Sequence, residues 1–250
     1  MLYSYGAIRN KIQPYIPEQL RAMRGKYRAR KFNRSMAGKS SAEIFQAVYS
    51  KRMWGFSNER GGFSSGEGSR YTQIVEPYVE GVSQYVGSLP FRPDAVDLGC
   101  GDFTIGSSLR PLFNRYIACD IVPDLIVRNR EGYKSLDVDF QVVNILADDL
   151  PPGDIVFVRQ VLQHLCNRDI ETALQRIRAA YPRLILTEHL PLETDFVPNI
   201  DIKTGAGIRV DVKSGVDIAR APFNVSAAST NILCEVTLKT SRIRTTLYQF

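Results

Sequence analysis

Histidine is scarce in this sequence. There are two, His164 and His189, alongside one tryptophan, Trp54, and four cysteines in 250 residues. Cys100, Cys119, Cys166 and Cys234 are scattered without metal spacing, so neither a zinc site nor a disulfide framework is expected. Three of them fall in or beside predicted strands, where a small thiol packs as a hydrophobe. No run approaches the roughly 18–20 apolar residues that a membrane-crossing helix needs. The first residues also lack the continuous apolar stretch of a signal peptide. The expectation is a cytoplasmic protein. Acidic residues are missing from one end: residues 1–39 hold ten Lys/Arg against one acid, Glu18, a charge of +9, which leaves −3 on the remainder.

What is present divides the chain into a basic N-terminal segment (1–39), a helix with a glycine-rich lid (40–90) and an alternating region (91–250). In the first, Ile16, Leu20, Met23 and Tyr27 recur at helical spacing amid arginines. Such a helix suits an anionic membrane surface (through residues 7–39), its own domain or a second copy of the chain. No RNA-binding motif accompanies it, so no nucleic-acid partner is expected. Residues 41–50 predict a short helix capped by Ser40 or Ser41. A long loop follows, opened by Trp54 and containing Gly55, Gly61, Gly62, Gly66 and Gly68. A loop of this length in a compact domain reads as functional, and a helix follows it over 70–86.

From Asp94 onward strands and helices alternate. Strands are predicted at 95–98, 116–119, 140–143, 155–158 and 184–187, with helices at 103–113, 123–132 and 160–180. That is an α/β, doubly wound, mostly parallel sheet. Residues 232–239 and 243–250 read as an antiparallel C-terminal hairpin, completing seven strands. Between them and the last parallel strand, residues 191–230 show no helical period and are assigned to substrate recognition.

In such sheets ligands bind beyond the carboxyl ends of the strands. The first end reads Asp97-Leu98-Gly99-Cys100-Gly101, followed by Thr104 where a dinucleotide fingerprint has its third glycine. Asp102 sits where a phosphate would be repelled. Gly99 and Gly101 let backbone approach a ligand closely. Asp120, followed by Ile121, ends the second strand, where an acid can accept from both hydroxyls of a ribose. Asn144 and Ile145 end the third, suited to the edge and face of a purine. Arg159 and Gln160 end the fourth, with His164 one helical turn further on, and Glu188 and His189 end the fifth. The ligand implied has a ribose and a purine, lacks phosphate and carries a cation. S-adenosylmethionine has those features. Ser65, Gly66, Gly68 and Ser69 precede a helix N-terminus, a suitable place for its carboxylate, with Trp54 covering it and Arg159 a further candidate partner.

The segments "VDLGCGD", "ACDIV" and "DIVFVRQVLQHL" together resemble the class I S-adenosylmethionine-dependent methyltransferases, over about Asp94 to Thr187. The resemblance implies a Rossmann-like fold and fits the antiparallel last strand. More narrowly, "IFQAVYSKRMWGFSN", "YIACDIVPDLIVRN" and "NIDIKTGAGIRVD" are similar to small bacterial sugar O-methyltransferases associated with polysaccharide and glycolipid assembly. That likeness implies a hydroxyl acceptor on a glycan, oligosaccharide or glycolipid. Tryptophan is lacking after Gly205, a departure from the group, and substrate identity does not travel with a fold.

A protonated alcohol is a poor nucleophile, so a positioned base is expected to contribute about 10²–10⁴-fold. His164 is the first candidate and His189 the second, with Glu188 orienting one of them. Glu188, Asp195, Asp201 and Asp211 are hard oxygen donors of the kind Mg²⁺ takes, but their spacing specifies no site and no metal is assigned. The alternatives are methylation of a nitrogen or another small molecule, a non-catalytic cofactor-binding subunit and, least favoured, RNA methylation.

Overall fold

The computed structural model describes residues 31, 32, 34–55 and 65–250. The amphipathic helix expected around residues 14–27 and the middle of the lid, 56–64, lie outside the described residues. The chain divides into two units, Met1–Lys39 and Ser40–Phe250, and the second carries the sheet.

Helix α1 (Ser41–Ser50) opens on a capping box. Glu43 N–H donates to Ser40 Oγ at 3.3 Å, and Ser40 N–H donates to Glu43 Oε2 at 2.9 Å, which satisfies two amides that the first helical turn leaves unpaired. Helix α2 (Thr72–Gly87) buries Ile74, Tyr78, Val82 and Val86. The sheet follows: β1 (Ala95–Leu98), β2 (Tyr116–Asp120), β3 (Asp139–Val142), β4 (Ile155–Arg159), β5 (Arg183–Pro191), β6 (Ser229–Thr237) and β7 (Ser241–Gln249). Helices α3 (Thr104–Leu109), α4 (Pro123–Gly132) and α5 (Asn167–Ala180) connect the parallel strands. The strand order is β3-β2-β1-β4-β5-β7-β6, with β1 to β5 parallel and β7 antiparallel to both neighbours. This is the doubly wound, mostly parallel seven-stranded sheet with the C-terminal hairpin. Its order reverses beside β1, which puts the switch point between β1 and β4.

The parallel strands β1, β2 and β4 are buried on both faces, as strands covered by helices must be. On one face Phe103, Phe113, Tyr116, Phe140 and Phe157 pack edge to face; the Phe103 and Phe140 rings are 4.9 Å apart at 80°. Phe103 has φ +58. That left-handed backbone costs an ordinary residue about 1–2 kcal/mol, while burying the ring contributes about 1.5–3 kcal/mol, so packing holds the conformation. The same kink delays the helix expected from residue 103, and α3 begins at Thr104.

Other boundaries differ from the sequence pattern too: β6 and β7 begin three and two residues before the expected 232 and 243. The helix expected over 160–180 is split. Gln160 takes φ +55 and donates its N–H to Thr187 O at 2.7 Å, and a 3₁₀ turn, Leu162–His164, precedes α5. Strand β5 runs four residues beyond Thr187, because β7 pairs with all nine of its residues.

Candidate active site

The glycine turn after β1 is held from below. Gly99 and Cys100 donate their N–H groups to Cys119 O at 2.8 Å, and Gly101 N–H donates to Asp120 Oδ2 at 3.1 Å. Asn129 Nδ2, on α4, donates to Gly101 O at 2.8 Å. Gly99 and Gly101 have φ of +85 and +57, and a Cβ on Gly101 would lie 2.3 Å from Ser65 Oγ. Only glycine fits both the conformation and the space.

Asp102 is buried beside the glycine turn and lines the cavity beyond the strand ends. Its Oδ1 accepts from Thr104 N and Oγ1, its Oδ2 accepts from Ser65 N at 3.3 Å, and its own N–H donates to Ser65 Oγ at 2.8 Å. The acid closes an Asx turn and ties the far end of the lid to the glycine turn. The near end is tied as well, since Trp54 Nε1 donates to Ala206 O at 3.2 Å.

These elements enclose a cavity of about 920 Å³ at the carboxyl end of the sheet. Of the residues expected to bind cofactor, Trp54, Ser69, Asp97, Gly99 and Gly101 line it. So do Asp120, Ile121, Asn144, Ile145, Arg159 and Gln160. Both histidines line it too.

Asp120 is buried, with Oδ1 accepting from Val122 N at 3.0 Å and Oδ2 from Gly101 N. Ile121 N–H points at the same carboxyl. Burial pushes the Asp120 carboxyl up to about 6 against the pull of those backbone amides. Burial pushes Asp97 further, to about 7, although Tyr116 Oη donates to it at 3.2 Å. Asn144 Oδ1 accepts from Leu146 N at 3.0 Å, which fixes its amide. Arg159 donates through Nη2 to Gly68 O at 2.7 Å and through Nη1 to Gln160 Oε1 at 3.2 Å. Its guanidinium carbon lies 4.9 Å from the Tyr78 ring centroid, and its buried Nε meets no hydrogen-bond partner. Burial lowers its pKa, yet a guanidinium stays charged in proteins. Ser69 is buried in a 3₁₀ turn, Glu67–Ser69, before α2; the cap of α2 is Tyr71, which makes no side-chain capping bond.

His164 lies in the 3₁₀ turn rather than one turn into a helix. Its Nδ1 is 2.9 Å from Gly207 O. A carbonyl only accepts, so Nδ1 carries the proton and Nε2 the lone pair. The imidazole packs 4.6 Å from the Trp54 ring. Burial pulls its pKa down to about 4, with Arg209 pulling the same way and the bond to Gly207 opposing. His189 is a strand residue, not a loop residue, because β5 continues to Pro191. Its Nε2 is 2.7 Å from Ser241 Oγ, and burial lowers its pKa against the pull of Asp211.

Glu188 is a correction. Successive strand residues point to opposite faces, and Glu188 faces away from the cavity that His189 lines. It is 3% exposed and makes no hydrogen bond to either histidine. Among the described residues no group of three or more His, Cys, Asp or Glu side chains could hold a metal ion. All four cysteines are free thiols, and burial pushes those of Cys100 and Cys119 up.

Sequence reasoning missed Asn129, Tyr133 and Gln163. Asn129 had a signal: it is the polar member of the buried stripe Leu125, Ile126, Asn129 on α4. Tyr133 Oη donates to Asp102 O at 3.1 Å, a contact no spacing announces.

Residues 96–181 match a family model described as a methyltransferase domain. The matched segment runs from β1 through α5. No curated protein matches the chain. Among solved structures, the N-methyltransferase NodS of Bradyrhizobium japonicum WM9, in complex with S-adenosylhomocysteine, is 13% identical. The match covers 72% of this chain and 89% of that one, with a TM-score of 0.54. The magnesium protoporphyrin IX methyltransferase of Synechocystis PCC 6803, with bound S-adenosylmethionine, is 15% identical over 85% of this chain and 99% of its own, also at 0.54. The N-terminal domain of EvdMO1, in the presence of S-adenosylhomocysteine and D-fucose, is 15% identical over 82% and 95%, at 0.50. At these identities the likeness is one of fold.

Proposed function

We propose that this protein is an S-adenosylmethionine-dependent methyltransferase whose acceptor is a hydroxyl group on a sugar of a glycan, oligosaccharide or glycolipid. The observation that carries the cofactor is the convergence of β1, β2 and β4 on one cavity, with a glycine cradle, a ribose-accepting acid and a buried guanidinium. The residues fit the group. Gly101 has no room for a Cβ, Asp120 ends β2 lining the cavity, and Arg159 Nε is an orphaned buried donor suited to a carboxylate. Asn144 and Ile145 supply the edge and face for adenine.

When bound, S-adenosylmethionine supplies an electrophilic methyl group on a sulfonium sulfur. The chain's part is alignment and proton removal. His164, held neutral by burial, takes the acceptor's hydroxyl proton on Nε2, displacing the Gln163 amide that donates to that nitrogen at 3.4 Å. His189, on the same cavity wall, orients the acceptor with Ser241. The sugar acceptor rests on the sequence resemblance, and one neighbour of this fold was crystallised in the presence of D-fucose. A nitrogen acceptor is the second reading. It is favoured by the low basicity of His164, since an amine needs no general base. Product formation with sugar and amine acceptors, in wild type and His164→Ala, decides. Loss confined to hydroxyl acceptors supports the first reading; full activity in the variant supports the second.

A further inference from the structure

Behind His164 the molecule is pinned by a loop with no regular structure. Cys166 N–H donates to Thr204 Oγ1 at 3.0 Å, and Thr204 Oγ1 donates to Asp169 at 2.8 Å. Gly205 N–H donates to His164 O, Ala206 O accepts from Trp54, and Gly207 O accepts from His164 Nδ1. The loop ends on Arg209, whose side chain is entirely buried. Arg209 Nη1 donates to Leu162 O at 3.1 Å and Nη2 to Asn167 Oδ1 at 2.6 Å, so one planar fork spans the 3₁₀ turn from its first residue to the start of α5. Glu188 lies near the same guanidinium. The amides of Leu162 and Gln163 point towards its carboxyl, without either oxygen completing a well-formed hydrogen bond. Burial, outweighing Arg209 and those amides, pushes Glu188 up to about 8.

A fully buried guanidinium is costly to desolvate. A methionine or leucine would fill such a core position without that penalty, but would leave Leu162 O and Asn167 Oδ1 without this donor. What Arg209 supplies is geometry: a rigid fork that reaches two acceptors in fixed directions.

We infer that Arg209 is a positioning residue. It fixes the Leu162–His164 turn from behind, so that the His164 imidazole, which lines the cavity, keeps Nδ1–H on Gly207 and Nε2 against the Gln163 amide. Glu188 and Asp201 are the acids whose fields reach this guanidinium. The inference rests on the proposed role of His164 as base, yet its main readout needs no turnover.

The test is ¹⁵N-detected NMR of the two histidines in full-length wild type, Arg209→Met and Arg209→Lys, with calorimetric binding of S-adenosylhomocysteine as the control. Wild type is expected to show His164 as the Nδ1–H tautomer. Arg209→Met should lose that bias and lower kcat by about 10–100-fold, because misplacement by about 1 Å costs on that order, while cofactor-product affinity stays within about twofold. Should Arg209→Met not fold, Arg209→Lys carries the test, since an ammonium keeps the charge but not the fork; the same loss of tautomer bias is expected. A folded Arg209→Lys protein with the wild-type His164 signature would overturn the inference. Loss of the tautomer together with full activity in His164→Ala would leave Arg209 as the positioning residue and remove His164 as the base.

Discussion

The two halves of the cavity are built differently. At the ends of β1, β2 and β3, backbone does most of the work: two left-handed glycines, amides pinned to Cys119 and Asp120, and polar residues at the strand ends. At the ends of β4 and β5 the wall is made of side chains, and His164 is held by a loop about 43 residues further along the chain. Backbone-built sites leave a compact trace in sequence, since only a few residue types take positive φ or end a buried strand in a carboxylate. A side chain positioned by a distant irregular loop leaves almost none. The first half, together with Arg159, should therefore govern cofactor affinity, and the histidines of the second half turnover.

The sharpest way to break that contrast is His164→Ala. Turnover of a hydroxyl acceptor should fall by about 10²–10⁴-fold, with S-adenosylhomocysteine affinity nearly unchanged; a large loss of affinity instead would erase the division. Next comes pH. Asp120 and Asp97 are pushed up to about 6 and about 7 by burial. Ligand hydroxyls favour the ionised acceptor, so affinity should be full above pH 7 and weaken as pH falls, by up to about tenfold per unit below pH 6 from Asp120 alone. Asp120→Asn should remove that limb, as measured by calorimetry across the pH range.

Gly81→Ala tests the frame rather than the site. A Cβ there would lie 2.7 Å from Leu233 O, where α2 meets β6. Overpacking of this kind costs about 1–3 kcal/mol, to be seen in denaturant midpoint with cofactor-product affinity unaffected once folded. The smallest effect should come from Ser65→Ala. It removes the hydroxyl that accepts from Asp102 N–H and should cost about 1 kcal/mol, read as a several-fold weaker affinity because the lid end loosens.

The same contrast explains what was legible beforehand. The alternation from Asp94 to Thr187 pointed to the sheet, because β1, β2 and β4, buried on both faces, read as short apolar runs. Helix α4 matched to the residue, since Pro123 suits a first helical position and fixes its start. Asp120 was legible from its place after an apolar strand. The helix expected through Gln160 was not split in advance, because nothing in "RQVLQHL" marks Gln160 for a left-handed backbone. Glu188 and His189 were grouped as strand-end neighbours. Nothing in those two residues reveals that β7 extends β5 to Pro191, and extension sends adjacent side chains to opposite faces. The bond from His164 to Gly207 spans 43 residues with no pattern between them.

The most direct test of the central claim is calorimetric titration of wild type and Asp120→Ala with S-adenosylhomocysteine, with thermal melts confirming that both are folded. Two hydrogen bonds to a charged acceptor contribute about 3 kcal/mol or more, so wild type should bind in the micromolar range and the variant at least about a hundredfold more weakly. Equal affinity in both, or no binding by folded wild type, would contradict a ribose-binding site at the end of β2.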